Sequence, residues 1–376
     1  MMTLARNDQS LLGRWWWTVD RWQIVALFLL MGLGAIFMLA ASPAAADRIG
    51  LADPFQLARR HMVTIPLAAA LMLAVSLFSP RAVRRVAVLG LLVAIALLVV
   101  TLLLGQEIKG ASRWISLGGF SLQPSEFAKP FFAVTAAWLF TAGRIDGALP
   151  GATVATLLYA LIAALFLLQP DVGQTVILTA VFAVQFFLAG LSLVWVGGIA
   201  LAAVGLLVGT YFLFPHVAER VDSFLDPAAG DTYQVERSLE AFQNGGPWGR
   251  GPGEGTVKDL LPDSHSDFIF AVAGEEFGIV VCLFLVLLFA FVVLRGFAKL
   301  LGETSLFVLL AATGLLSQVG LQAFVNMASA LHLIPTKGMT LPFISYGGSS
   351  YLALAIAMGM VLALTRRRPA GAEALR

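Results

Sequence analysis

Long apolar runs alternate with short polar breaks along almost the whole chain. A helix needs about 20 apolar residues to cross about 30 Å of hydrocarbon. Ten runs of about that length stand near 22–41, 61–79, 84–104, 125–142, 150–168, 171–190, 193–214, 268–294, 305–331 and 343–364. Only QPD and GLS separate the fifth, sixth and seventh. The pattern predicts an all-α polytopic membrane protein, one ten-helix domain over 1–376. A large extracytoplasmic loop, 215–267, joins helices 7 and 8, and 1–21 and 365–376 form cytoplasmic tails.

Basic residues set the orientation. Arg81, Arg84 and Arg85 follow the second run, Arg144 the fourth, Arg295 and Lys299 the eighth, and Arg366 to Arg368 the tenth. With ten spans these fall on one side, together with Arg6, Arg14 and Arg21, and both termini are cytoplasmic. Arg48, Arg59 and Arg60 in the first outer loop run against the rule. The start of the chain imitates a signal peptide, with ASPAAAD at 41–47 as its cleavage site. Its apolar stretch is longer than a typical h-region, and Trp15–Trp17 and Trp22 read as an interfacial belt, so an uncleaved first span is expected.

Composition agrees with the pattern: 12% of residues are charged and 59% hydrophobic, with a mean hydropathy of +0.88. A soluble domain carries roughly a quarter charged residues. The net charge of +2 gives no reason to expect a nucleic-acid partner. One cysteine, Cys282 in an apolar run, excludes a disulfide framework and a cysteine metal site.

In so greasy a chain the polar stretches carry the candidate chemistry. LPDSHSDFIF, 261–270, crowds Asp263, His265 and Asp267 in front of an apolar run. Three readings stand: SHSD as a capping box for the next helix, Asp267 as a catalytic group, or a metal site made by all three. In GASRWISLGGFSLQPSEFAKP, 110–130, Glu126 and Lys129 are spaced to pair on one helix face. A charge inside a span costs about 2.5–3.5 kcal/mol on insertion scales, so that pair is either a structural bridge or a functional one. HLIPTKGMTLPFISYGGSS, 332–350, brings Lys337 into a helix-breaking loop. Gln318, Gln322 and Asn326 form a stripe that helix–helix hydrogen bonding explains more often than a substrate path does. In the large loop, YQVERSLEAFQNGG reads as a helix with Val235, Leu239 and Phe242 on one face, lying on the membrane or folded over the spans. GPWGRGPGEG reads as a flexible loop rather than a ligand cradle.

Five motifs in order, GASRWI…QPSEFAK, QPDVGQT, GGPWGRGPGEG, LPDSHSDFIFAVAGEEFG and LIPTKGMTLPFISYGGSSYLALAIAMG, resemble the SEDS (shape, elongation, division and sporulation) family. PTKGMTLPFISYGGSS and GEE (Gly274–Glu276) are more similar to its division branch, FtsW-type, than to its elongation branch, RodA-type. The resemblance implies a ten-span peptidoglycan glycosyltransferase that polymerises lipid II at the outer face of the cytoplasmic membrane. It implies as partners undecaprenyl-pyrophosphate-linked glycan, a class B penicillin-binding transpeptidase and other division proteins, with enrichment at the septum. The family's essential acid matches Asp267, and its functional Trp, Glu and Lys match Trp114, Glu126 and Lys129.

The reaction fits these residues. A sugar hydroxyl attacks an anomeric carbon whose lipid-pyrophosphate leaving group departs as an anion, so one base and a positive pocket suffice. Asp267 is the candidate base, and with an aspartate's reference pKa of about 3.9 it needs help from its surroundings. Alternatively it holds a divalent cation, Mg or Mn, on the pyrophosphate. Arg113, Lys129 and Lys337 are the candidate anion contacts, and Trp114 a surface for lipid or sugar. The rival class is a lipid II flippase, which needs polar residues along the whole crossing. Only the Gln318–Gln322–Asn326 stripe offers them.

Overall fold

A computed structural model describes residues 10–108, 111–117, 120–145, 150–190, 193–226, 233–335 and 338–367. A short helix α1 (Leu11–Thr18) precedes α2 (Arg21–Arg48), α3 (Gln56–Ser76) and α4 (Pro80–Leu104). A three-stranded antiparallel sheet follows, β1 (Gln106–Ile108), β2 (Ala111–Leu117) and β3 (Phe120–Leu122). Next come α5 (Pro124–Ile145), α6 (Gly151–Leu168), α7 (Val172–Leu188) and α8 (Leu193–Leu213). The large loop holds α9 (Pro215–Leu225), α10 (Tyr233–Gly245) and a 3-10 turn (Val257–Asp259), before α11 (Ile269–Leu300), α12 (Leu306–Ala330) and α13 (Gly348–Leu364). Among the described residues six helices, α2, α3, α4, α6, α11 and α12, are long and apolar enough to cross a membrane, and α7 and α13 are shorter apolar helices.

The sheet is a departure from an all-α chain. Its longest strand has seven residues, so its period-2 signal is lost inside a short loop between two greasy helices. Its registers pair Trp114 with Gln106 and Ile115 with Leu122.

Burial sorts the helices into a core and a rim. Only 17 residues long, α13 buries residues on every side, among them Tyr351, Leu354, Met358 and Val361, and packs on α3, α5 and α12. A helix apolar all round belongs inside. By contrast α4 and α8 leave Leu89, Leu103, Leu104, Val194, Leu201 and Phe212 exposed, the faces that hydrocarbon would cover. At one end of the bundle Asp20 pairs with Arg295 (2.9 Å) and Lys299 (3.3 Å), and Arg366 donates to the carbonyls of Leu77 and Phe78.

The opposite end is built by the large loop. The helix expected at YQVERSLEAFQNGG is α10, packed on α11. Its buried face is Ser238, Ala241, Phe242 and Gly245, with Val235 and Leu239 only half-buried. The GPWGRGPGEG stretch is not a loose loop. Helix α11 breaks at Gly278 (φ 81°, ψ 173°), and the stretch bonds into that break. Ile279 and Val280 donate their amides to the carbonyls of Gly246 and Pro247, while Arg250 and Gly251 donate to those of Glu275 and Glu276. A Cβ on Gly278 would lie 2.4 Å from the Pro247 carbonyl oxygen and 2.5 Å from the Gly249 nitrogen. Only glycine fits, on space and on backbone angle alike. From Ile269 to Glu276 α11 is buried at every position, and exposed apolar side chains begin at Ile279 and Val280. The apolar run at 268–294 thus contains a protein-buried first segment and a separate exposed one.

Buried charge fixes this arrangement. The Glu275 carboxylate accepts the amides of Thr256, Val257 and Lys258 (2.8, 2.7 and 2.8 Å) and the Asn244 side chain (2.8 Å). Glu276 pairs with Lys258, and both are buried. Buried charges are tolerated where they are paired and hydrogen-bonded, as here.

Candidate functional site

The segment before α11 is a tight turn. Asp263 has φ 50°, and its carbonyl accepts the amides of Ser266, Asp267 and Phe268 at 3.0, 3.1 and 3.3 Å. The capping-box reading of SHSD is overturned. The cap residue of α11 is Phe268 rather than Ser264, because the helix starts only after the turn and the Asp267 amide is taken by the Asp263 carbonyl. The metal reading that joined Asp263, His265 and Asp267 also fails. No three His, Cys, Asp or Glu side chains gather as a metal cluster among the described residues. His265 belongs to an aromatic wall, its ring 5.6 Å from that of Tyr346, which in turn lies 6.4 Å from His61. Burial lowers the His265 pKa, with Asp263 opposing, so the ring is neutral at neutral pH.

Asp267 itself is half-buried. Its turn is held from outside by three separate donors. The Tyr346 amide bonds the His265 carbonyl (2.9 Å), the Ser345 hydroxyl that of Ser266 (2.6 Å), and the Asn326 side chain that of Asp267 (2.8 Å).

A second polar cluster sits on α5 and α7. Lys129 donates to Glu126 (3.0 Å) and to Gln322 of α12 (3.2 Å), and Gln174 donates to Glu126 (2.6 Å). The i,i+3 pair expected from the sequence is therefore present, with Lys129 only 2% exposed. Gln123 and Ser125 donate to the buried Asp171 carboxylate at 3.4 and 3.3 Å. Arg113, half-buried on β2, donates to the carbonyls of Gln169 (3.1 Å) and Pro170. Trp114 is half-buried too, but neighbours on a strand point to opposite faces, so it cannot share Arg113's side of the sheet. Lys337 lies outside the described residues.

The polar stripe on α12 joins the two clusters. Gln322 accepts from Lys129 and donates to Thr340 and Ser350, and Asn326 donates to the carbonyls of Asp267 and Met339. Gln318, the third member, is 1% exposed, and neither of its amide atoms has a hydrogen-bond partner. Helix-to-loop and helix-to-helix bonding accounts for two of the three.

Sequence reasoning passed over several members of this site. Asp171 and Gln174 stand at the head of an apolar helix just as Asp267 does, a signal present in QPDVGQT. Arg220 on α9 had no signal: it lies in a stretch whose fold is not periodic with the spans. The residue is exposed; crowding by nearby protein lowers its pKa, the charge of Asp267 opposes that shift and Arg113 adds to it. Arg220 thus lies in the electrostatic field of both Asp267 and Arg113.

Residues 21–369 match the FtsW/RodA/SpoVE family model, described as a cell cycle protein. The chain is 49% identical over 368 residues to a probable peptidoglycan glycosyltransferase FtsW of Caulobacter vibrioides, covering 97% of this chain and 94% of that one. It is 35% identical over 359 residues to one of Tolumonas auensis, covering 93% and 92%. A solved structure described as the structural coordination of polymerization and crosslinking by a peptidoglycan synthase complex superposes with a TM-score of 0.74 at 29% identity, covering 92% of this chain and 97% of that one. The rod shape determining protein RodA of Thermus thermophilus gives 0.66 at 26% identity, covering 93% and 97%. With the five motifs in order and a family match over nearly its full length, the chain belongs to the SEDS family, as a division-type, FtsW-type member.

Proposed function

We propose that this chain is a peptidoglycan glycosyltransferase that polymerises lipid II into glycan strands at the outer face of the cytoplasmic membrane during cell division. The names of its relatives support this reading. The observation that carries the site is that Asp267 stands on a turn whose carbonyls are held by three donors, Tyr346, Ser345 and Asn326, from segments distant in sequence.

In this reading Asp267 takes the proton from the attacking sugar hydroxyl. The anomeric carbon then loses its undecaprenyl-pyrophosphate, and cations receive the departing charge. Arg220, in the field of both Asp267 and Arg113, forms the cationic face with Arg113, with Lys337 as a further anion contact and Trp114 as a surface for lipid or sugar. Lys129, expected from the sequence as an anion contact, is buried with its ammonium on Glu126 and Gln322 and would act through them. Should a divalent cation, Mg or Mn, take part, Asp267 is the residue that would hold it, and the ion would supply charge neutralisation for the departing pyrophosphate.

Ten spans with both termini cytoplasmic fit the helices and the basic end of the bundle that holds Arg295, Lys299 and Arg366. The partner is a class B penicillin-binding transpeptidase, and septal enrichment follows from the division branch. A complex joining polymerization to crosslinking among the structural neighbours supports the first of these.

The test is Asp267→Asn in the purified full chain with its transpeptidase partner, supplied with labelled lipid II. Loss of a general base removes about 10²–10⁴-fold of rate, so the variant should fold, bind its partner and form almost no polymer. Partial rescue by high concentrations of Mg or Mn would identify a metal ligand instead of a base. Asp263→Asn should keep near-normal turnover, because asparagine tolerates the positive φ of that turn. Near-normal polymerisation by a folded Asp267→Asn enzyme would refute the assignment.

A further inference from the structure

The donors around Asp267 come from two elements far away in sequence, and they do not touch its carboxylate. Asn326 lies 59 residues from it, and Ser345 bonds a carbonyl 79 residues away. Asn326 also bonds the Met339 carbonyl (2.6 Å), and the Ser345 hydroxyl also accepts the Leu341 amide (2.7 Å). Each side chain therefore fastens the 261–268 turn and the 338–346 loop to each other. The loop closes in from the other side as well: a Cβ on Gly338 would lie 3.0 Å from Asp267 Oδ2. Phe343, in the same loop, has φ 61°, a backbone conformation that persists only where surrounding bonds enforce it. One turn along α12 from Asn326, Gln322 accepts from Lys129 and donates to Thr340 and Ser350. Residues four apart on a helix rise about 6 Å along its axis. This rigid spacing links the loop that carries the base to the buried Glu126–Lys129 pair.

We propose that Asn326, Ser345 and Gly338 are positioning residues for the reaction assigned above. The first two hold the Asp267 turn through its carbonyls, and the third keeps open the space its carboxylate occupies. The proposal rests on Asp267 being the base, and it makes α12 the gauge that fixes the base relative to Lys129. Misplacement of a reacting group by about 1 Å can cost about 10²-fold in rate, whereas a group that acts through another leaves ground-state substrate binding nearly intact.

The experiment measures kcat and KM for lipid II polymerisation by the full chain with its transpeptidase partner, normalised to folded protein. Asn326→Leu should lower kcat about 10–100-fold, with KM changed less than about twofold. Ser345→Ala and Gly338→Ala should lower kcat in the same direction, and Ser345→Thr, which keeps the hydroxyl, should recover most of it. Gln318→Leu, on the same stripe but without a hydrogen-bond partner, should leave kcat unchanged. Should Asn326→Leu fail to fold, the Ser345 and Gly338 variants decide the matter. Normal kcat in the folded variants, beside an inactive Asp267→Asn, would overturn the positioning role while leaving the function intact. An active Asp267→Asn enzyme would instead overturn the function from which this proposal starts.

Discussion

Lys129→Met removes an ammonium while keeping most of the aliphatic stem, so it separates the charge from the packing. The pair it breaks is deep: the Lys129 and Glu126 side chains are 1% and 5% exposed, 3.0 Å apart. Without Lys129, the Glu126 carboxylate keeps the Gln174 amide at 2.6 Å, and Gln322 loses a donor to its carbonyl oxygen. An uncompensated buried charge of this kind costs about 3–5 kcal/mol, a large part of a typical stability of about 5–15 kcal/mol. Glu126→Gln combined with Lys129→Met removes both charges and should be neutral or stabilising, as apolar or neutral replacement of buried pairs often is. The assay is a double-mutant cycle by thermal unfolding of the purified protein, run beside lipid II polymerisation of the same four proteins. The single variants should be strongly destabilised and the double variant recovered in stability yet defective in polymerisation. Two results would refute the reasoning. Additive destabilisation in the double variant would mean that the two charges do not compensate each other. A stable double variant, or a Glu126→Lys, Lys129→Glu exchange, with full polymerisation would mean that the pair is structural only.

The Asp20 cluster gives a pH prediction. Burial pushes the Asp20 carboxyl up, but the Arg295 and Gln23 hydrogen bonds and the charges of Lys299 and Arg295 outweigh it, so its pKa lies below the ordinary 3.8. A depressed carboxyl pKa gives stability that is fully present above the unfolded value and is lost as pH falls through the folded one. Asp20→Asn should therefore unfold at a lower temperature than the parent by a constant margin from about pH 8 to about pH 5, and the margin should close below about pH 4; a margin that grows on acidification would contradict the ion cluster. Topology can be read with reporter fusions: those after Arg144 and Arg295 should report cytoplasm and one within Gly246–Gly255 the exterior, and an external signal at Arg144 would reverse the middle spans.

Hydropathy located the long apolar helices, because crossing hydrocarbon demands about 20 consecutive apolar side chains, but it gave no sign of the short helices α1 and α9. It also drew attention to Asp267, Glu126 and Lys129, since a charge at the lip of such a run is costly wherever the chain folds. The i,i+3 contact of Glu126 with Lys129 was legible because helix geometry fixes it. What the sequence could not determine is which polar residues meet across the bundle. Lys129 finds Gln322 at a separation of 193 residues, and Asp267 finds Asn326 and the loop beyond it. No local period encodes such adjacency; it follows from how the helices pack. The same limit hid the break at Gly278, whose amides are satisfied by a loop some thirty residues earlier in the chain. It also misled the reading of SHSD, where the capping pattern is present but three amides converge on the Asp263 carbonyl and carry the turn away from the helix end. Apolar periodicity acts through short-range burial and so is written along the chain. Hydrogen bonds between distant segments depend on their final separation, which only the folded bundle sets.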